Sequence, residues 1–87
     1  MSTLKELKSR AQRLKPVIRL GQAGPTPEFL AALNTELDRH GLVKLRFEGM
    51  KTERKTLSKQ LAEITASQLV QQVGHTAVYY RDARNPL

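Results

Sequence analysis

From residue 14 to residue 27 the chain reads Leu-Lys-Pro-Val-Ile-Arg-Leu-Gly-Gln-Ala-Gly-Pro-Thr-Pro, a run that leaves few conformational options. Pro16 ends any helix before it, because the residue preceding a proline is pushed out of the α region. Val17, Ile18 and Leu20 form a short apolar, β-branched run between breakers, which predicts a buried strand. Gly21 and Gly24 then flank Gln22 and Ala23. Glycine at both ends permits positive φ and close approach of a ligand, since no Cβ stands in the way. Thr26 is placed to cap a helix whose first residue is Pro27, where a missing N–H costs nothing. A strand, a tight turn and a helix start are thus compressed into one segment.

The flanking sequence extends this unit in both directions. Residues 3–14 predict a helix with a Thr3–Glu6 capping box and an apolar stripe of Leu4, Leu7, Ala11 and Leu14. A second helix over 27–40 turns Phe29, Leu30, Leu33 and Leu37 inward and stops at Gly41. Val43, Leu45 and Phe47 alternate with Lys44 and Arg46, which predicts a strand over 42–47 with one buried face and two cations on the other. The βαβ succession implies two parallel strands joined by a right-handed crossover. Thr52 is a candidate cap for a third helix reaching about residue 66, with Leu57, Leu61 and Ile64 inward. Its early turns carry Arg54, Lys55 and Lys59, which the helix dipole opposes unless an anion sits there. Strands over 68–73 and 76–81 form a hairpin through Gly74-His75, a type II′ pattern. Leu69, Val73, Val78 and Tyr80 are its candidate core contacts, although the Leu69-Val70 pair leaves the facing open. The expectation is one domain over 1–81 and a mobile tail over 82–87.

Eighty-seven residues with 39% hydrophobic content suffice for one core and not two. The absence of cysteine removes disulfides, thiolate metal sites and a cysteine nucleophile, and agrees with a cytoplasmic setting. No apolar run approaches membrane-span length, and the first residues lack a signal-peptide core. Net charge is +7, and it is segregated. Residues 1–20 carry +5, residues 26–40 carry −2 and residues 42–60 carry +4. Such asymmetry favours a polyanionic partner, nucleic acid before a membrane surface.

Catalysis finds little support. His40 and His75 stand alone without metal-ligand spacing, and no nucleophile elbow or phosphate-binding loop of the Walker type is present. No metal or cofactor is expected. Glu48 and Glu53 read as charge partners of Lys51 and Arg54. With only Phe29, Phe47, Tyr79 and Tyr80, at most one tyrosine is available to stack, so recognition of backbone and shape is expected. The GxxG turn before a capped helix has the form by which KH-type loops clamp a nucleic-acid backbone, while an ordinary βα connection would use the same glycines.

Four stretches taken together resemble a known family: Leu14-Lys15-Pro16, Gly21-Gln22-Ala23-Gly24 with Thr26, His40-Gly41-Leu42-Val43-Lys44-Leu45-Arg46, and Val73-Gly74-His75-Thr76 running to Tyr80-Arg81. Their order and separations are similar to those of CRM domains, specifically the stand-alone bacterial YhbY-type RNA-binding proteins of large-subunit assembly. The resemblance implies an α/β fold, α-β-α-β-α-β-β with a four-stranded mixed sheet, similar to the C-terminal domain of translation initiation factor three. It also implies a partner of ribosomal RNA whose contacts are Gly21, Gln22, Ala23 and Gly24, and a non-enzymatic monomer is expected. Many members carry a lysine or arginine inside the loop, whereas Gln22 and Ala23 are uncharged. That shifts contacts onto Arg13, Lys15, Lys44, Arg46, Lys51, Arg54 and Lys55. The competing expectation is a small interaction module that sets its basic face against an acidic protein.

Overall fold

The computed structural model describes residues 3–82. Apart from Asp82, the expected tail lies outside the described residues. The elements are α1 (Leu4–Ala11), β1 (Ile18–Leu20), α2 (Pro27–His40), β2 (Leu42–Phe47), α3 (Arg54–Ile64), β3 (Gln68–Val73) and β4 (Thr76–Tyr80). They make a mixed four-stranded sheet in the order β1-β2-β4-β3. β1 runs parallel to β2, and β4 is antiparallel to both of its neighbours. The expected α/β architecture is therefore the observed one.

Both faces of the sheet are used, unequally. On one face, Leu20, Val43, Leu45, Phe47, Ala77 and Tyr79 pack under Phe29, Leu33 and Leu37 of α2 and Leu61 of α3. Burying such a side chain fully contributes about 1.5–3 kcal/mol relative to leaving it in water. On the other, α1 lays Leu7 and Ala11 over Leu42, Val70 and Val78. It covers only the end of that face where Leu42 and Tyr80 are register partners. The opposite end, where Arg46 pairs with Thr76, stays open.

α1 is shorter than its stripe predicts. Arg13 and Leu14 N–H groups reach back only three residues, to Arg10 and Ala11 carbonyls, so the last turn tightens and the chain departs at Gln12. Leu14 still packs on the α1 cluster from outside the helix. Val17, Ile64 and Val73, expected inside, are 55%, 55% and 62% exposed. Each sits just past the reach of a covering element: before β1, at the end of α3 and at the hairpin. Between Leu69 and Gln71 the β3–β4 register slips by one residue. That bulge settles the ambiguous pair: Leu69 joins the α2–α3 core and Val70 the α1 cluster.

Thr52 is not the cap of α3. Gly49 (φ 88°) and Met50 (φ 56°) both turn left-handed, Met50 packs against the core, and Glu53 becomes the N-cap residue with no side-chain cap bond. At the far end of α3, Ala66 takes φ 51°, while Ala66 and Ser67 N–H groups bond the Glu63 and Ala62 carbonyls. This is a Schellman closure with alanine where glycine is usual. In the hairpin, Gly74 alone takes positive φ (56°), as a II′ turn requires.

Tyr79 is fully buried and its hydroxyl donates to the Ser58 carbonyl at 3.0 Å. Tyr79→Phe is expected to cost about 1 kcal/mol, because the buried hydrogen bond to the Ser58 carbonyl is lost. Burial also pushes the Tyr79 phenol well above its ordinary value near 10. A raised folded-state pKa means that stability is intact below pH 10 and declines as pH rises beyond it. Denaturant titrations at pH 8 and pH 11 on the native chain and the phenylalanine variant check both points, the variant showing the smaller alkaline loss.

Candidate functional site

Three connections leave the sheet at the same end. They are the turn after β1, the loop after β2 and the β3–β4 hairpin, since β1 and β2 are parallel and β4 starts opposite the end of β2. The Phe47 N–H bonds the His75 carbonyl at 2.7 Å and the Glu48 N–H bonds the Leu20 carbonyl at 2.9 Å, tying the three together.

The first connection is open to solvent. Gly24 N–H bonds the Gly21 carbonyl at 3.1 Å, which closes a β-turn and leaves Gln22 and Ala23 exposed at its tip. The two glycines have different reasons. Gly24 takes φ 81°, so its conformation demands glycine. Gly21 does not take positive φ, and a Cβ there would meet nothing within 4 Å. The fold therefore places neither a steric nor a φ demand for glycine at 21. Beyond the turn, Thr26 Oγ1 accepts the Phe29 N–H at 3.1 Å, Pro27 has no N–H, and Glu28 sits in the first turn of α2. The start of α2 is thus largely satisfied by its own residues.

α3 presents the reverse case. Its first turn has no side-chain cap and no acid, and carries Arg54 and Lys55 with Lys51 just before them. Unbonded N–H groups and cations at one helix start form a receptive place for an anion. Arg54 is fixed there by a bond from its Nε to the Gly49 carbonyl at 3.1 Å, which leaves its two terminal nitrogens available. Gly49 itself is pinned: a Cβ at this position would lie 3.2 Å from Gln22 Nε2. The β1 turn and the β2 loop are therefore in contact. Between them and the hairpin lies an open cleft of about 570 Å³, lined by Gln22, Arg46, Glu48, Gly49, Arg54 and His75 among others. A neighbouring cleft of about 310 Å³ shares Arg54 and adds Lys51, Lys55 and Gly74.

Of the residues singled out in the sequence, Gln22, Arg46, Lys51, Arg54 and Lys55 come together around these clefts. Lys44, half-buried, lies on the same sheet face as Arg46. Arg13 and Lys15 are exposed but stand before β1, at the opposite end of that strand from the turn. Sequence reasoning passed over Arg19 and His75. Arg19 is the register partner of Arg46, so two exposed guanidinium groups share the uncovered face on adjacent strands. Like charges placed so are mutually destabilising without a counter-anion. The period-two rule that located Arg46 would have located Arg19, had it been applied to the apolar run of β1. His75 lines the cleft because the hairpin turns at that end.

Two of the acidic residues lie well away from the clefts. Glu36 and Asp38 are on α2, beyond the opposite face, where Glu36 is 3.3 Å from His40 and Asp38 pairs with Arg81. Arg81 is spent structurally, donating to the Asn34 side chain and carbonyl and to the Thr65 carbonyl. Among the described residues no group of three or more His, Cys, Asp or Glu could hold a metal, and no helix is long and apolar enough to cross a membrane.

Known proteins share this sequence pattern and this fold. The family model described as the CRS1 / YhbY (CRM) domain matches residues 2–81. An RNA-binding protein of Haemophilus influenzae is 37% identical over 76 residues, covering 86% of this chain and 77% of its own length. Pseudomonas aeruginosa PA4753, named a probable RNA-binding protein, is 35% identical over 83 residues, covering 94% and 78% respectively. The solution structure of Staphylococcus aureus SAV1595, described as a candidate RNA-binding protein, superposes with a TM-score of 0.80 at 29% identity. It covers 94% of this chain and 90% of that one. With a family model spanning all seven elements and relatives above 30% identity, the chain belongs to the CRS1 / YhbY (CRM) domain family.

Proposed function

We propose that this domain is a non-enzymatic RNA-binding module that holds the sugar–phosphate backbone at the loop end of its sheet. The observation that carries the reading is the juxtaposition of an open glycine turn with a sheet face bearing Arg19, Lys44 and Arg46 that α1 leaves uncovered. The names of the Haemophilus influenzae and Pseudomonas aeruginosa relatives support RNA as the polyanion. In this reading the exposed turn at Gln22 and Ala23 lies against one sugar–phosphate, and the start of α3 with Lys51, Arg54 and Lys55 takes the next. Precursor or large-subunit ribosomal RNA during ribosome assembly is the target that the family resemblance favours. Crosslinking in cells followed by sequencing of the attached RNA tests it, and RNase release from ribosomal particles separates RNA binding from docking on an acidic protein.

The two glycines give a sharper test. Gly21→Ala is expected to leave thermal stability unchanged or raise it by about 0.4–1 kcal/mol, since alanine restricts the unfolded chain and meets no obstacle here. The same substitution is expected to weaken RNA binding several-fold by holding the backbone away from the phosphate. Gly24→Ala, by contrast, costs stability of about 1 kcal/mol or more through its left-handed φ. Unchanged RNA affinity in Gly21→Ala would remove the turn from the interface.

A further inference from the structure

Among the described residues, Glu48 is the one acidic residue lining the larger cleft, beside Arg46 and Arg54. It is exposed, it lines the cleft with Arg46, Arg54 and His75, and it makes no ion pair or side-chain hydrogen bond among the described residues. The expected pairing of Glu48 with Lys51 or Arg54 is absent; Arg54 instead bonds the Gly49 carbonyl. An unpaired carboxylate would repel a bare backbone and lower its affinity. It becomes useful if the cleft receives more than backbone.

From this, and resting on the RNA-binding reading above, we infer that the cleft between the glycine turn and the hairpin is a seat for one unstacked nucleotide, with Glu48 reading its base as guanine. An ionised carboxylate only accepts hydrogen bonds, and does so through two oxygens side by side. Among the four bases, guanine alone presents two adjacent donors, its ring N1–H and its exocyclic amine, to match both. Its O6 and N7 acceptors in turn suit a guanidinium, and Arg54 is held in place through Nε with its other nitrogens free. The Gln22 amide, lodged against Gly49 beside Glu48, supplies a further donor and acceptor. Arg46 and His75 are left for the flanking phosphate, and the neighbouring cleft with Lys51 and Lys55 continues the path to the next one. The volume of about 570 Å³ lies within the range of small-molecule sites, about 300–1,000 Å³. Single-stranded loops and bulges are where RNA offers splayed bases with a free Watson–Crick edge.

The test uses the full chain and U-rich RNA heptamers whose central nucleotide is G, A, C, U or inosine, titrated at low salt by fluorescence anisotropy and by amide NMR. The G-centred heptamer is expected to bind roughly tenfold more tightly than the A-, C- or U-centred ones, the scale of a good bidentate base contact. Inosine, lacking the exocyclic amine, falls between. Shifts of the Gln22 side-chain amide and the Gly49 N–H should track the preference. Glu48→Gln is expected to bind the A-, C- and U-centred heptamers more tightly, by about twofold, because a negative charge leaves the cleft, while the preference for G disappears. Equal affinity for all five RNAs, or a G preference that survives Glu48→Gln, overturns the nucleotide seat and leaves backbone binding intact. Failure to bind any of the heptamers or a structured ribosomal RNA fragment at low salt overturns both readings.

Discussion

Replacing Arg19, Arg46, Lys51 and Lys55 together with glutamine is expected to lower RNA affinity about a hundredfold while the domain stays folded. All four are exposed and none of their side chains makes a hydrogen bond or ion pair among the described residues, so their replacement leaves no polar group orphaned. Separating Arg19 from Arg46 even relieves a like-charge apposition. The loss arises because each cation released from a phosphate forfeits the entropy of counterion release. With a slope near −0.7 per contact on single strands, four contacts should flatten the log–log salt dependence by up to about 3. Two comparisons sharpen the result. Arg39→Gln removes a charge from α2, on the other side of the sheet, and should change affinity little. The Arg13→Gln/Lys15→Gln pair, at the far end of β1, should lose less than the Arg46→Gln/Lys55→Gln pair. Affinity unchanged in the quadruple variant would exclude this face.

The largest effect on stability is expected at Arg81. Its guanidinium reaches the Thr65 carbonyl at 2.6 Å, the Asn34 side chain at 2.9 Å and the Asn34 carbonyl at 3.1 Å. It thereby fastens the end of β4 to α2 and to the close of α3. Removing it leaves part-buried acceptors unsatisfied, so Arg81→Met should cost about 2–4 kcal/mol, a large share of the stability a small domain possesses. At roughly 4–8 °C per kcal/mol, the melting temperature would fall by about 8–32 °C. The ion pair with Asp38 is the minor part, since the Asp38 side chain is 72% exposed; Asp38→Asn should cost less than about 1 kcal/mol. Lysine at 81 keeps the charge but cannot fork to several acceptors, and should recover little. Equal melting temperatures for Arg81→Met and the native chain would refute the clamp.

How far the sequence reaches depends on whether the cause is local. The bounds of α2 and β2 read from residues 27–40 and 42–47 coincide with the observed ones. Their signals, a Thr26–Pro27 start, a Gly41 stop and strict alternation, act within a few residues. The helix expected to reach about residue 66 ends at Ile64, because the left-handed closure there falls on alanine, which carries no stop signal. The helix expected over 3–14 ends at Ala11 for a reason equally hidden, a tightened last turn ahead of Pro16. The roles of Arg81, Arg19 and Glu48 depend on partners far along the chain or on what is missing nearby. Arg81 belongs to one of the motifs that carry the family resemblance, yet nothing next to it in sequence distinguishes a structural cation from a surface one. The basic character of residues 42–60 is visible in the sequence, but its division into a cleft-lining group and a distant Arg13–Lys15 pair requires the sheet.

β3 is an edge strand whose sequence, Gln-Leu-Val-Gln-Gln-Val, holds no charge at all. Such an edge, ending in the exposed Val73, would ordinarily invite a foreign chain to zip along it and start edge-to-edge growth. The slip at Val70 breaks that template into two short runs that no straight strand can follow in register. Any barrier to pairing along this border therefore lies in backbone shape, and straightening the kink by deleting a residue there is expected to make the border adhesive.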